Sequence, residues 1–415
     1  MNINNLLKSD FIKNMSFQII GVALAQLLPL LCMPFLTRIY SETDFALFTT
    51  FMAIGSIFAV GAGCRYQFAI MLPKHHDEAK NIFTLSIILN LIYILSLLLF
   101  FITFPSLNFN LGKKIYLLPI FVLFFGLWNS FSNLSIRYGT FKINSIAKVL
   151  QSIIYIIASI SLGLLKLLSL GLIIGKILGT LVSSIYLFQK SEIYKINTNY
   201  SALKVVAQKY VDYPKYSFIP SFLDTASSQA LALVIIQFYS KQDLGFFGLT
   251  FMVLSAPVSL IGASFKEVFY QKITFLINDS KFNESLSLFK KSSIGLLIIG
   301  LPVCIIIMFF GKEVFSLIFG IKWGISGTFA SILAIGFFIQ LIVSPLSSIF
   351  NAANKLKISS IWQTLYFITT FVTLGIAAYA FKVEIETLFY IYIIHELILY
   401  SIYFILQYKT LQNLN

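Results

Sequence analysis

A chain of 415 residues that is 58% hydrophobic and only 11% charged, with a mean hydropathy of +0.88, cannot hide its apolar surface in a water-soluble core. Its apolar runs are around 20 residues long, the length a helix needs to cross ~30 Å of hydrocarbon, and lack the alternation of a transmembrane barrel, so the expected fold is an all-α polytopic membrane protein. The net charge of +14 does not imply nucleic acid, because basic inner loops are an insertion rule and anionic headgroups a ready counter-surface.

Taken in order, the first thirteen residues are polar and no small-residue cleavage site follows the first apolar run, which therefore reads as an uncleaved span near 15–37. Pro29 and Pro34 within it are expected to bend it and to serve as a hinge. Further spans are expected near 45–71, 82–104, 115–136, 146–165, 167–189, 218–239, 246–269, 293–311, 325–350, 359–381 and 384–407, twelve in all. Cys32, Cys64 and Cys304 all sit in apolar runs without metal-ligand spacing, which indicates packing rather than a disulfide or a metal site.

Span 2 ends in Gly61-Ala-Gly-Cys-Arg65-Tyr66-Gln67-Phe68-Ala69-Ile70-Met71-Leu72-Pro73, which puts a guanidinium roughly 10 Å from the closing proline. A charge inside a span usually faces the bundle interior or a watery cavity, so Arg65 is a substrate-site candidate; snorkelling to the headgroups is the alternative. In span 6, Lys176 lies ten residues in, ~15 Å deep and near the midplane, with Thr180 and Ser183 continuing its face. It is either a cavity cation or half of a buried pair. Beside it, Gly171-x3-Gly175-x3-Gly179 is a small-residue strip that lets helices approach.

The longest polar interval, about 190–217, separates the halves. Within it Tyr200, Leu203, Val206 and Tyr210 recur at steps of three and four beside Lys204, Lys209 and Lys215, the pattern of a helix lying on the inner leaflet. Leu286, Leu288 and Phe289 beside Lys290 and Lys291 form a shorter relative before span 9. The expected organisation is a six-helix lobe over 1–195, a cytoplasmic amphipathic linker over 196–217 and a second six-helix lobe over 218–415. Asp224 opens span 7 amid Ser221, Ser227 and Ser228, as an ion-coupling site or a cap. Glu396 sits midway along span 12 with Tyr392, Tyr400 and Tyr403 at −4, +4 and +7; it is either held structurally by tyrosine hydroxyls or a proton-coupling carboxylate. His395 points to a different helical face and reads as a packing residue.

The halves repeat. Tyr40-Ser41-x-x-Asp44-x-x-x-Phe48 returns as Tyr239-Ser240-x-x-Asp243-x-x-x-Phe247, and Glu78-x4-Phe83 as Glu284-x4-Phe289. Six helices per copy give both lobes one orientation, related by an axis along the membrane normal, an architecture suited to alternating access.

Arg65-Tyr66-x-Phe68-Ala69-Ile70-x-Leu72-Pro73, followed by Glu78-Ala79-x-Asn81, resembles the span-2 signature of bacterial polysaccharide transporters. These are the O-antigen and capsule flippases of the multidrug/oligosaccharidyl-lipid/polysaccharide exporter superfamily. Pro34-x-x-Thr37-Arg38-x-Tyr40 with Asp44-Phe45, Tyr213-Pro214 with Pro220-Ser221, and Phe319-Gly320-x-x-Trp323-x-x-x-Gly327 resemble further family segments. The chain departs from the pattern at Gln67, often Glu, and at Met252, near an Arg common in span 8, which removes an acid partner for Arg65 and a second cavity cation.

The resemblance implies a non-enzymatic flippase of undecaprenyl-diphosphate-linked oligosaccharide in the bacterial inner membrane. Such a protein would serve O-antigen, capsule or lipopolysaccharide assembly, need no cofactor, and work among membrane lipids and beside the pathway's polymerase and glycosyltransferases. Arg65 and Lys176 would bind the substrate, and Asp224 or Glu396 would couple transport to H+ or Na+. The rivals are a peptidoglycan lipid-precursor flippase, whose relatives usually carry fourteen spans, a multidrug extruder, which would want an acid in span 1, and a glycan polymerase, which would want a long periplasmic loop. A single-chain ATP-driven exporter is excluded because no Gly-x4-Gly-Lys-Ser/Thr loop is present.

With both termini inside, inner segments and the span ends beside them carry 20 of the 30 Lys and Arg, outer loops eight, and Arg65 and Lys176 fall within spans. A reporter fused after Asn415 is therefore expected in the cytoplasm and one inserted at Lys241-Gln242 in the periplasm. A periplasmic C-terminus would overturn the twelve-span topology.

Overall fold

A computed structural model describes residues 3–107, 109–190 and 199–414, with side chains described from residue 17 onward except at 19, 263, 264 and 356. The boundary expected at 195/196 lies outside the described residues. All regular elements described are helical: α1 (Ile3–Ile39), α2 (Glu42–Ala59), a 3-10 segment (Ala62–Met71), α3 (His76–Thr103), α4 (Leu117–Arg137), α5 (Phe141–Leu164) and α6 (Ser169–Lys190). Then follow α7 (Tyr200–Lys209), α8 (Asp212–Ser228), α9 (Ala230–Phe238), α10 (Lys241–Asn278), α11 (Phe282–Phe319), α12 (Gly324–Val343), α13 (Ile349–Ala352), α14 (Leu356–Gly375) and α15 (Ile385–Gln412). Ten helices are long and apolar enough to span a bilayer, and up to twelve if two bent pairs count as one each: α2 with the 3-10 segment, bent by 60°, and α8 with α9, bent by 55°. Large apolar side chains such as Ile294, Ile298, Ile305 and Phe309 of α11 are exposed, as befits helices that meet lipid.

The chain divides into two compact units, Met1–Thr225 and Ala226–Asn415. In the first, α5 and α6 pack most intimately along the glycine strip. A Cβ on Gly175 would stand 2.4 Å from Ser159 Oγ and one on Gly179 2.5 Å from Gln151 O, so only glycine permits this approach. Buried hydroxyls and amides bind across helices: Ser152 Oγ donates to Ala25 O, Ser86 Oγ pairs with Ser130 Oγ, and Asn90 Nδ2 donates to Leu123 O. In the second unit, α11 and α12 meet backbone to backbone at Gly311 and Gly327. Thr250 Oγ1 donates to Ser326 O while Ser326 Oγ donates to Phe246 O, tying α10 to α12. An aromatic stack, Trp362 on Tyr403 at 4.5 Å, joins α14 to α15.

The repeated motifs adopt one local structure. Ser41 and Asp44 form a reciprocal capping box at the start of α2, and Ser240 and Asp243 form the same box at α10. Each preceding tyrosine closes a tertiary contact, Tyr40 OH to Ser159 O at 2.6 Å and Tyr239 OH to Val383 O at 2.8 Å. Phe83 and Phe289, the second repeated pair, are both buried.

Two expectations are corrected. The stripe on α7 does not lie against lipid: Leu203, Val206 and Tyr210 pack into the core of the first unit with Phe83 and Leu134, and only Tyr200 of the four stays exposed. The Leu286–Phe289 stretch is no separate surface helix, because α11 runs through it and Phe289 packs on Phe404 and Tyr408. Pro29 and Pro34 lie inside helix α1, and the sharp breaks between helices fall after α2 and at Gln229.

Asp44 also accepts the Ser169 backbone N–H at 2.8 Å in a buried site, so one carboxylate caps α2 and holds the start of α6. Asp44→Ala is expected to destabilise the protein by about 2–4 kcal/mol, and Asp243→Ala, which removes a cap alone, by about 1 kcal/mol. Thermal unfolding in detergent measures the difference; equal losses would show that the Ser169 contact contributes nothing.

Candidate functional site

Helix α2 ends because Gly63, Cys64 and Arg65 take left-handed backbone conformations, with φ of 61°, 46° and 67°. For the two non-glycine residues this costs roughly 1–2 kcal/mol each, so surrounding contacts must impose it. They are identifiable. Gln67, 1% exposed, donates from Nε2 to Ala62 O across the turn. A Cβ on Gly63 would approach Gln67 Oε1 to 2.7 Å, so this position requires glycine on both counts. From α4, Arg137 donates to the carbonyls of Ile70, Met71, Pro73 and His75 at 2.6–3.4 Å, clamping the far end of the segment.

The turn aims the Arg65 side chain at α8. Its Nη2 donates to Ser221 Oγ at 2.7 Å and its Nε to Ser217 Oγ at 3.3 Å, while the guanidinium lies 4.2 Å from the centre of the Phe68 ring. All three partners are neutral, so the positive charge is not cancelled by a carboxylate. Helix α8 is positioned by α7, which is pinned to the same segment. Tyr66 OH donates to Ala207 O, and Glu78 accepts from both Lys209 Nζ and Tyr210 OH. The hydrogen bond to Glu78 holds the Lys209 ammonium above its ordinary pKa, and burial followed by Glu78 raises that of the Tyr210 phenol.

Asp224 does not begin a helix, since α8 starts at Asp212; the capping reading fails for that reason. It sits instead in the last turns of α8, exposed, seven residues beyond Ser217 and three beyond Ser221. The face that receives Arg65 thus continues to a carboxylate. Lys176 lies elsewhere in the first unit, with Nζ 5.5 Å from the centre of the Tyr155 ring between α5 and α6. Among the described residues Arg65 contacts Ser217, Ser221 and Phe68 while Lys176 contacts Tyr155, so these contacts do not bring the two cations together.

In the second unit Glu396 is 3% exposed and accepts from Tyr366 OH at 2.8 Å. Tyr392 also hydrogen-bonds to it, whereas Tyr403 is taken up by the stack on Trp362. His395 does not turn away, contrary to the helical-wheel expectation: its Nδ1 stands 3.5 Å from Glu396 Oε1 and its Nε2 3.1 Å from Thr369 Oγ1. Among the described residues no three His, Cys, Asp or Glu side chains come together as a metal site would require.

Residues 35–328 match the family model described as "Polysaccharide biosynthesis protein". The chain belongs to this family. The matched region holds Arg65, Lys176 and Asp224; His395 and Glu396 lie beyond it. Among curated proteins no sequence matches. The fold is shared with an inward-facing multidrug resistance MATE family transporter of the MOP superfamily, at TM-score 0.74 and 16% identity, over 96% of this chain and 98% of that one. It is shared equally with the lipid II flippase MurJ in an inward closed conformation, at TM-score 0.75 and 17% identity over 95% and 87%. A eukaryotic MATE transporter aligns at TM-score 0.61 and 12% identity over 98% and 99%.

Within this polysaccharide biosynthesis protein the sequence alone singled out Arg65 but not what holds it. Ser217 and Ser221 lie 152 and 156 positions away, and Arg137 binds backbone carbonyls that carry no residue signature. Arg137→Ala is expected to speed amide hydrogen exchange across residues 62–75 by about tenfold or more, the equivalent of about 1.4 kcal/mol of local stability, with Arg137→Lys intermediate because a single ammonium replaces a planar fork. Unchanged exchange in Arg137→Ala would show that the turn holds itself.

Proposed function

We propose that this multi-pass membrane protein is a flippase that carries undecaprenyl-diphosphate-linked oligosaccharide from the inner to the outer leaflet of the bacterial inner membrane by alternating access. The family supports work in polysaccharide biosynthesis and the shared fold supports transport. The observation that carries the reading to a lipid diphosphate is Arg65: an intramembrane guanidinium held by two serine hydroxyls and a ring, with no acid among its contacts. Neutral hydroxyls are the weaker partners. A diphosphate offers charge-assisted, bidentate hydrogen bonds to the same fork and can displace them at a net gain. Lys176 supplies a second cation for the passing headgroup or sugar acid, and among the described residues its ammonium lies against the neutral Tyr155 ring.

Asp224, one turn beyond Ser221, and Glu396, buried among tyrosines, are the carboxylates that couple the cycle to H+ or Na+. The basic loops support cytoplasmic termini. The pathway's polymerase and glycosyltransferases are the expected neighbours, and no nucleic acid enters the scheme.

Surface glycan in a deletion strain, complemented with variants matched for membrane protein level, tests the proposal. Arg65→Ala is expected to abolish export and Arg65→Lys to retain part of it, because an ammonium keeps the charge without the fork. Lys176→Arg should be tolerated better than Lys176→Ala. Normal export by both alanine variants would overturn the binding role, and normal export by Asp224→Asn and Glu396→Gln across a pH and sodium series would overturn the coupling role. Profiling the lipid-linked intermediates of the deletion strain separates the rivals: undecaprenyl-linked repeat units held on the inner leaflet support this reading, peptidoglycan precursors there point to a precursor flippase, and unpolymerised units outside point to a polymerase.

A further inference from the structure

We propose that His395 and Glu396 form a proton-carrying pair, in which one exchangeable proton lies between Nδ1 of the imidazole and Oε1 of the carboxyl group. The inference rests on the coupling role given above to Glu396 and adds the residue that shares its proton. Four contacts carry it. The Thr369 hydroxyl donates to Leu365 O at 2.8 Å, a shorter contact than the 3.1 Å from His395 Nε2, so its single hydrogen is assigned to the backbone. Thr369 Oγ1 can then only accept, and Nε2 must bear a hydrogen. In a neutral ring that leaves Nδ1 with a lone pair, and this buried atom, which has no hydrogen-bond partner, faces Glu396 Oε1 at 3.5 Å.

Two lone-pair atoms buried face to face repel each other unless a proton lies between them. Oε1 already accepts from Tyr366 OH, so the missing hydrogen must reside on Nδ1 or on the carboxyl group itself. Among the described residues the neighbours of the pair are phenols and apolar side chains. Tyr366 from α14 and Tyr392 and Tyr400 from α15 are the titratable neighbours of Glu396. Helices α12 and α13, which pack on α15, contain no ionisable residue. Helix α11 meets α15 through Phe289 and Lys290 against Tyr408, three turns from Glu396.

When the proton is taken up from water an N–H or O–H bond forms and the pair closes. When it returns to water that bond breaks, the carboxylate keeps its negative charge, and the exposed repulsion favours separation of the His395 and Glu396 side chains, which loads their contacts with Thr369 and Tyr366 of α14. Both side chains project from α15 and both are anchored on α14, the imidazole by Thr369 and the carboxyl group by Tyr366, which makes this a two-state contact between the helices rather than an isolated buried acid.

The chain has three histidines, and the other two are the adjacent His75 and His76. In full-length protein carrying His75→Gln and His76→Gln, histidine labelled with nitrogen-15 reports His395 alone. The expected spectrum shows the Nε2–H tautomer at high pH and protonation of Nδ1 in a single titration, which Glu396→Gln moves down by at least one pH unit, tenfold in proton affinity. Should Glu396→Gln fail to fold, Tyr366→Phe removes the other donor from Oε1 and is expected to move the titration upward. An Nδ1–H tautomer in the neutral ring, a titration unmoved by these variants, or one displaced by sodium in place of potassium would overturn the pair. Export assays keep the two readings apart. A shifted titration with normal export in Glu396→Gln sustains the pair and rejects coupling, while a flat titration with lost export does the reverse.

Discussion

The left-handed turn at Gly63, Cys64 and Arg65 is the constraint on which the first unit's site depends. A helix continuing through these residues would send the guanidinium along the α2 axis; the turn instead aims it at α8. Its backbone cost of roughly 1–2 kcal/mol per non-glycine residue is offset by contacts from four directions. Gln67 bridges the turn from inside, Arg137 gathers the carbonyls of its far end, Tyr66 reaches α7, and the serines of α8 receive the Arg65 charge. Because α7 is in turn held by Glu78 at the start of α3, direct contacts link the break, α7 and the helix carrying Asp224.

The internal repeat separates what sequence dictates locally from what the fold adds. Capping boxes involve side chains three residues apart, so the same Ser-x-x-Asp string produces the same cap in both units. Beyond the cap the copies diverge: Asp44 also holds the Ser169 N–H of α6, a bond across 125 positions that no local pattern encodes.

That distinction explains how much was legible in the sequence. Helical spans were readable from run length, and the Gly171–Gly175–Gly179 strip from spacing, because both are periodic properties of one helix. The partner of an apolar face was not. The stripe of Leu203, Val206 and Tyr210 predicts an apolar cover, and lipid and protein satisfy that demand equally well; only the core beneath α7 decides for protein. The helical wheel puts His395 roughly 100° from Glu396, yet a long imidazole and a long carboxylate bridge that angle once Thr369 fixes the ring from the neighbouring helix. For the same reason Arg65 could be picked out as a costly charge while its serine partners could not.

The buried charges of the two units differ in kind, and the difference follows from one physical rule. A charge in a low-dielectric interior is tolerated only with partners, and the identity of those partners sets what it can still bind. Arg65 and Lys176, in the first unit, have hydroxyls and rings, which stabilise a cation without neutralising it and so leave its affinity for an anion intact. Glu396, in the second, has phenols and an imidazole as its partners in place of a lysine or arginine. Had either been paired with its opposite, the Coulomb energy of a buried ion pair would compete with every ligand that approached.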